Sequence, residues 1–170
     1  MHQKPDPSRL DLASYPTVTS IQARFSDLDV FGHINNVAIA GFYEEARTGF
    51  VRQAFGTGAD RDAALGQIFV VNVNISYLHE ARYPGAYSIG VGVLQVGRTS
   101  FQVGCGMFDG DRCVGLSEAV FVQLADGGPA PLSAGARAVL HSLALPGSEA
   151  ESMRPPTRGA SEQPAVTHSG

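Results

Sequence analysis

The chain is short of lysine, of cysteine and of any long uninterrupted apolar run. No stretch of eighteen or more apolar residues occurs in its 170 residues, so no segment reads as a membrane span. Residues 1–16 are polar and proline-bearing, without the apolar centre of a secretory leader, which points to a cytoplasmic protein. A basic excess is also missing: the net charge of -4 argues against nucleic acid as a partner. Lys4 is the only lysine, so an anionic ligand would meet arginine forks rather than ammonium groups. The two cysteines, Cys105 and Cys113, fall in apolar stretches on either side of Asp109-Gly110. A two-residue hairpin loop at that dipeptide makes paired residue numbers sum to about 219. Cys105 then lies opposite Val114 and Cys113 on the other face of the pleat, which favours buried free thiols over a disulfide. The histidines are scattered, and no His/Cys cluster has metal-ligand spacing, so no metal is expected.

What is present is length and pattern. At 170 residues the chain fits one domain that can bury a core without disulfide or metal staples. Residues 1–16 read as a flexible N-terminal arm, 17–145 as the folded domain and 146–170 as a disordered C-terminal tail. That tail is rich in Ser, Pro, Glu and Arg and too poor in large apolar residues to offset its ordering entropy. Residues 17–25 read as a strand with Val18, Ile21 and Phe25 apolar. A polar loop then leads to a helix over 35–55, where Ile39, Phe42, Tyr43, Ala46, Phe50, Val51 and Ala54 recur at three- and four-residue steps. Asn35 fits its N-cap and Gly56 its C-terminal stop.

Beyond a Gly/Asp/Ala-rich connection the period changes to two. Phe69, Val71, Val73, Ile75 and Tyr77 share one face of a strand, with Asn72, Asn74 and Ser76 on the face away from the core. Three further strands follow over 87–96, 101–108 and 113–123, separated by Pro84-Gly85, Gly97-Arg98 and Asp109-Gly110. If Val91 and Val93 are to share a face with Val103 and Phe101, paired numbers must have an even sum. That requires an odd loop, of three residues: Gly97, Arg98 and Thr99. Ser133 fits the cap of a short helix reaching Leu143. One strand, one long helix and four sequential antiparallel strands make an α+β fold, a sheet curled around a helix whose charged side meets solvent or a second subunit.

The chemistry-bearing residues lie between the first strand and the helix: Asp27, Asp29, Gly32, His33, Asn35 and Asn36, followed by Glu44-Glu45-Ala46-Arg47. An aspartate before a helix is by itself usually a turn former or a cap. In this block, however, the sequence resembles the 4-hydroxybenzoyl-CoA thioesterase-like family of hotdog proteins, whose pattern runs Asp-x-Asp-x-x-Gly-His-Val-Asn-Asn and then Glu-Glu-Ala-Arg. Ile34 replaces the valine, and Ile39 stands where many members have tyrosine. The likeness extends more loosely over 17–143. It implies a hotdog fold, a curved antiparallel β-sheet wrapped around one long central α-helix, and hydrolysis of an acyl-CoA thioester.

The resemblance further implies that Asp29 is the catalytic carboxylate, activating a water or attacking the thioester carbonyl to give a mixed anhydride. The oxyanion would meet the backbone N–H of Asn36; helix N-termini carry free N–H groups and partial positive charge, which suit it. His33 would orient the carboxylate or the water, and Asn35 would cap the helix or position water. Asp27 reads as structural, paired with Arg24 or accepting backbone bonds, and Glu44 as a solvated residue or a partner of Arg47 or Arg24. Arg98, Thr99 and Ser100 resemble a segment that contacts the nucleotide in relatives, with Arg82 a weaker candidate. Ile39 and Phe42 line the acyl pocket or belong to the core. Coenzyme A is part of the substrate and no separate cofactor is implied; the partner is a second copy, as a homodimer or homotetramer. Two other readings stay open: an acyl-carrier-protein thioester as substrate, and a non-catalytic acyl-CoA-binding sensor or scaffold. A hydratase on the same fold is disfavoured, because the segment 29–33 lacks that family's Asn-Pro.

Overall fold

The computed structural model describes residues 5–55 and 67–153. Strands β1 (Thr17–Gln22), β2 (Ile68–Tyr77), β3 (Ala86–Val96), β4 (Ser100–Asp109) and β5 (Arg112–Ala125) form one antiparallel sheet in the order β1-β3-β4-β5-β2. A two-residue β6 (Gly128–Pro129) folds back on the end of β5. Short hairpins keep β3, β4 and β5 side by side, while β1 and β2, which flank the long helix α1 (Asn36–Phe55) in sequence, close the two edges. The sheet curls around α1 as a half-barrel, the hotdog arrangement.

The helix forms where the apolar spacing places it. Ile39, Phe42, Tyr43, Ala46, Phe50, Val51 and Ala54 are all buried, packed with Ile89, Val91, Val93, Val103, Cys105, Met107 and Phe121 of the sheet. Asn35 Oδ1 accepts the Ala38 N–H at 2.7 Å, so the expected cap is present. The expected stop at Gly56 lies outside the described residues. One member of the buried stripe is unexpected: Arg47, only 3% exposed. Its guanidinium donates to Glu44 Oε2 at 2.8 Å and Ser117 Oγ at 3.3 Å, so the Glu44–Arg47 pair forms with its cationic half inside the protein. The second helix, α2 (Ala134–Ser142), starts at Ser133, whose Oγ accepts the Ala136 N–H at 3.1 Å.

The hairpins test the register. The β3–β4 hairpin differs from the expected three-residue loop: Val96 pairs with Phe101 and the Gly97 N–H donates to Ser100 O at 2.8 Å, so the turn proper is Arg98-Thr99 and the parity is restored further along β3. Val91 faces Cys105 and Val93 faces Val103, with even sums, until a bulge at Leu94 shifts the last pairs. The β4–β5 hairpin differs from expectation. Asp109 pairs with Arg112, so its loop is Gly110-Asp111; Cys105 faces Ser117 rather than Val114, and Cys113 faces Phe108. Gly110 has φ 59 and sits first in the loop, where a tight hairpin of this kind needs a glycine, and Asp109 therefore stays in the strand. Both thiols are nonetheless free and buried, on opposite faces of the sheet.

Two further expectations change. Val70 pairs with Phe121 and Asn72 with Val120, so Val71 is an extra residue in β2 and the apolar alternation breaks there. Ile68, Val70, Val73, Ile75 and Tyr77 face α1, while Phe69 turns to the outer face with Asn72, Asn74 and Ser76. The second change concerns the ends of the domain. From Pro5 onward the arm is packed: Tyr15 is buried, its hydroxyl donates to Arg9 O at 2.8 Å, and Arg9 pairs with Glu118 on β5. At the other end residues 146–153 are also ordered. A helical turn at Glu149–Ser152 is capped by Ser148, and Ala150 is buried with its carbonyl 2.9 Å from His141 Nδ1. Residues 154–170 of the expected tail lie outside the described residues.

Candidate active site

The loop between β1 and α1 is held in shape by its own carboxylates. Asp27 is 5% exposed and accepts from Arg24 three times, from its backbone N–H at 2.7 Å, its Nη2 at 3.2 Å and its Nε at 3.4 Å. The carbonyl of Asp27 accepts the Asn35 N–H at 2.8 Å and Asn35 Nδ2 at 2.7 Å. Asp27 is thus a structural residue that ties the loop to the helix start. The side-chain amide of Asn35 is engaged at both ends, by Asp27 O and the Ala38 N–H. It acts by fixing where α1 begins, and the geometry favours the cap over the water-positioning role.

Asp29 occupies the tip of the loop. Its Oδ1 accepts the N–H of Phe31 at 2.8 Å and of His33 at 3.0 Å, and its own N–H donates to His33 O at 2.8 Å. Gly32, at φ 81, supplies the left-handed conformation that lets the chain turn back so sharply. Among the described residues no hydrogen bond reaches Oδ2. The His33 N–H first, with those of Phe31 and Gly32 and the nearby imidazole, holds the Asp29 carboxyl below its ordinary value. One oxygen is anchored and the other is free, on a group that is anionic at neutral pH.

Asp29 shares a cleft of about 790 Å³ with His33, Ile34, Asn36, Ile39 and the segment Tyr77–Arg82, with Arg112 at its edge. Asn36 is the first residue of α1. Among the described residues, nothing accepts the N–H of Asn36 or of Val37, whereas that of Ala38 is capped by Asn35. Asp29, with one free carboxylate oxygen, and Asn36, with an uncapped N–H, therefore line one cleft, the pairing that acyl transfer requires of a base or nucleophile and an oxyanion site. Ile39 lines this cleft, while Phe42 is a core residue.

The structure separates Arg98, Thr99 and Ser100 from that group. Their hairpin continues into Phe101, whose ring packs on Phe55 at the last residue of α1, with centroids 5.5 Å apart. A 20-residue helix is roughly 30 Å long, so within one chain this hairpin lies at the opposite end of the helix from Asp29. The cations that line the cleft are instead Arg82 and Arg112. Arg82 Nη2 donates to Glu80 Oε2 at 2.7 Å, and that oxygen lies 3.3 Å from His33 Nε2. Sequence reading missed Tyr77, His79, Glu80 and Arg112 as cleft residues. The only local signal was a charged His-Glu-Ala-Arg run directly after an apolar strand; its approach to the Asp29 loop is a matter of topology. The contact is made through the backbone as well, since the Ile34 N–H donates to Ala81 O at 2.8 Å.

Comparison with known proteins agrees with this fold. The family model of the thioesterase-like superfamily matches residues 23–140, which contain the loop, α1 and the sheet from β2 to β5. A thioesterase of Thermus thermophilus, solved in complex with coenzyme A and Zn, is 26% identical; the match covers 76% of this chain and 95% of that one, with a TM-score of 0.67. A 1,4-dihydroxy-2-naphthoyl-CoA thioesterase of Synechocystis shares the fold at 14% identity, over 74% of this chain and 96% of its own, with a TM-score of 0.62. No curated protein sequence matches. With its fold, its loop and more than half of its length matched, the chain belongs to the thioesterase-like superfamily.

Proposed function

We propose that this protein hydrolyses an acyl-CoA thioester to the free acid and coenzyme A. The observation behind this reading is the shared cleft of the Asp29 carboxylate and the uncapped N–H groups that open α1. In the general-base route Asp29 Oδ2 takes a proton from water as the oxygen attacks the thioester carbon. The carbonyl oxygen becomes an oxyanion received by the Asn36 N–H, and its collapse breaks the C–S bond. The thiolate leaves and regains the proton. In the nucleophilic route Oδ2 itself bonds to the carbonyl carbon, expels the thiolate, and water then opens the mixed anhydride. The depressed affinity of Asp29 for protons makes it a weaker base but keeps it fully anionic, which either route needs.

A second copy of the chain completes this reading. The exposed edge of the sheet is β2, where Phe69, Val71 and Val73 are 48%, 60% and 42% exposed. An apolar, unpaired strand edge invites pairing with another strand. Two chains joined through β2 would make one continuous sheet, and the Arg98 hairpin of one could then approach the cleft of the other. At the other end of the order, β1 pairs with the first half of β3, and Val93 bonds to Leu143 and Leu145 through their backbones at 2.8 Å, so β3 is covered along both halves.

Thiol release from a panel of short, long and aromatic acyl-CoAs tests the proposal, with an acyl-carrier-protein thioester alongside. Turnover of an acyl-CoA that disappears in Asp29→Asn supports it. Binding of acyl-CoA without release by the native chain would overturn hydrolysis in favour of a sensor or scaffold. Single turnover in ¹⁸O-water distinguishes general-base attack from an anhydride opened at the Asp29 carbon, because only the latter leaves an Asp29 oxygen in the first product and ¹⁸O in Asp29.

A further inference from the structure

Glu80 belongs to no motif of the sequence, yet it is the residue on which the charged side of the cleft converges. It follows β2, in the segment that crosses beneath the Asp29 loop. Its Oε2 lies 2.7 Å from Arg82 Nη2 and 3.3 Å from His33 Nε2. The Arg82 guanidinium, then the His33 ring, and more distantly Arg112, hold its carboxyl below the ordinary value. Its position is built rather than incidental. Tyr87, buried in β3, uses its hydroxyl to accept the Arg82 N–H at 2.6 Å and to donate to Arg82 O at 2.7 Å. Ala81, between the two charged residues, accepts the Ile34 N–H at 2.8 Å. The segment is therefore fixed to the sheet on one side and to the catalytic loop on the other.

His33 is the link to the reacting centre. Its main chain closes a tight ring with Asp29, giving an N–H to Oδ1 at 3.0 Å and accepting the Asp29 N–H at 2.8 Å. Whatever fixes the His33 side chain also restrains the backbone that holds the carboxylate. We propose that Glu80 is a positioning residue for this site: anchored by Arg82, its carboxylate holds the His33 imidazole through Nε2, and so keeps the ring in place and Asp29 aimed into the cleft. A carboxylate beside one imidazole nitrogen orients the ring and favours the tautomer protonated there, and apo-state contacts of this kind often tighten once substrate is bound. The inference rests on the thioester-hydrolysis reading for its kinetic consequence but not for the state of the imidazole.

Glu80→Ala and Glu80→Gln in the full chain test it, with two readouts. In thiol-release kinetics, Glu80→Ala is expected to lower kcat by about tenfold to a hundredfold with KM changed by no more than about twofold, the signature of misplacement rather than lost binding. Glu80→Gln keeps an acceptor for Nε2–H and should recover most of that loss. In ¹⁵N-detected imidazole spectra, with His33 assigned by His33→Asn, the native ring should show the Nε2-protonated tautomer, Glu80→Gln should retain it, and Glu80→Ala should give a mixture. An unaltered tautomer in Glu80→Ala, or equal kinetic losses in the Ala and Gln variants, overturns the proposal. If the native chain releases no thiol from any acyl-CoA, the hydrolysis reading fails, and the imidazole spectra still decide whether Glu80 holds His33.

Discussion

At the scale of single residues, the site depends on how Asp29 divides its two oxygens. Oδ1 is held by two backbone N–H groups and Oδ2 is free. Asp29→Asn keeps an acceptor for both N–H groups but removes the anion, so the loop should survive while thiol release falls by about a hundredfold or more. Because the folded-state carboxyl lies below its ordinary value of 3.8, it stays ionised well into acid. The rate should therefore show no limb from Asp29 at neutral pH and should fall only as pH drops below about 4. The same sign governs stability: the contribution is complete above the unfolded value and is lost as pH falls through the lower folded one. A pH–rate profile of kcat/KM carried into acid checks this; a limb centred near neutrality that vanishes in Asp29→Asn would contradict it. Asn35→Ala should cost about 1 kcal/mol of stability as a lost N-cap, read by urea denaturation. Its larger effect should be on rate, because the start of α1 carries the proposed oxyanion donors.

At the scale of elements, the outer face of the sheet explains a pattern that binary apolar/polar reading passes over. Gly90 pairs with Gly106 and Gly92 with Gly104 across β3 and β4. The Tyr15 ring sits on the first pair and the Leu145 side chain on the second; a Cβ at Gly90 would lie 2.3 Å from Tyr15 Cγ, and one at Gly92 would lie 2.7 Å from Leu145 Cγ. These glycines form a floor that the arm and the chain after α2 cover, with Phe108, Cys113 and Leu116 as its apolar surround. Gly90→Ala should destabilise the fold by about 1–3 kcal/mol through overpacking, measured as a shift in denaturation midpoint. Since this face is remote from the cleft, the folded fraction of that variant should keep its KM.

At the scale of the whole molecule, the two edges of the sheet have different fates. One is formed by β1, which with residues 143–145 covers β3, and the other by the apolar β2. Val73→Lys places a charge in the middle of that open edge. If two chains pair through β2 as proposed, it should yield a monomer by light scattering and lower thiol release with it. A variant that stays oligomeric would remove β2 as the interface. Arg98→Ala tests the same proposed arrangement differently: if the hairpin reaches a partner's cleft, it should raise KM for acyl-CoA several-fold, because it lies too far from the Asp29 cleft of its own chain to act there.

The sequence by itself determined the elements and the local chemistry. The stripe from Ile39 to Ala54 made α1 a helix with one buried side, Asn35 and Ser133 were legible as caps, and the period-two runs were legible as β3 to β5, because these follow from contacts within a few residues. The block from Asp27 to Asn36 was legible for the same reason: a carboxylate and a helix start within one loop are local facts. Only the tertiary structure decided what non-local packing controls. It moved the β4–β5 register by making Gly110 the turn residue, turned Phe69 outward through the bulge at Val71, and buried Arg47 against Ser117. It seated the arm through the fit of Tyr15 on Gly90 and Gly106. Above all it carried Glu80 and Arg82 to the Asp29 loop and Arg98 away from it, because the order of strands, not distance along the chain, sets which loops share an end of the sheet.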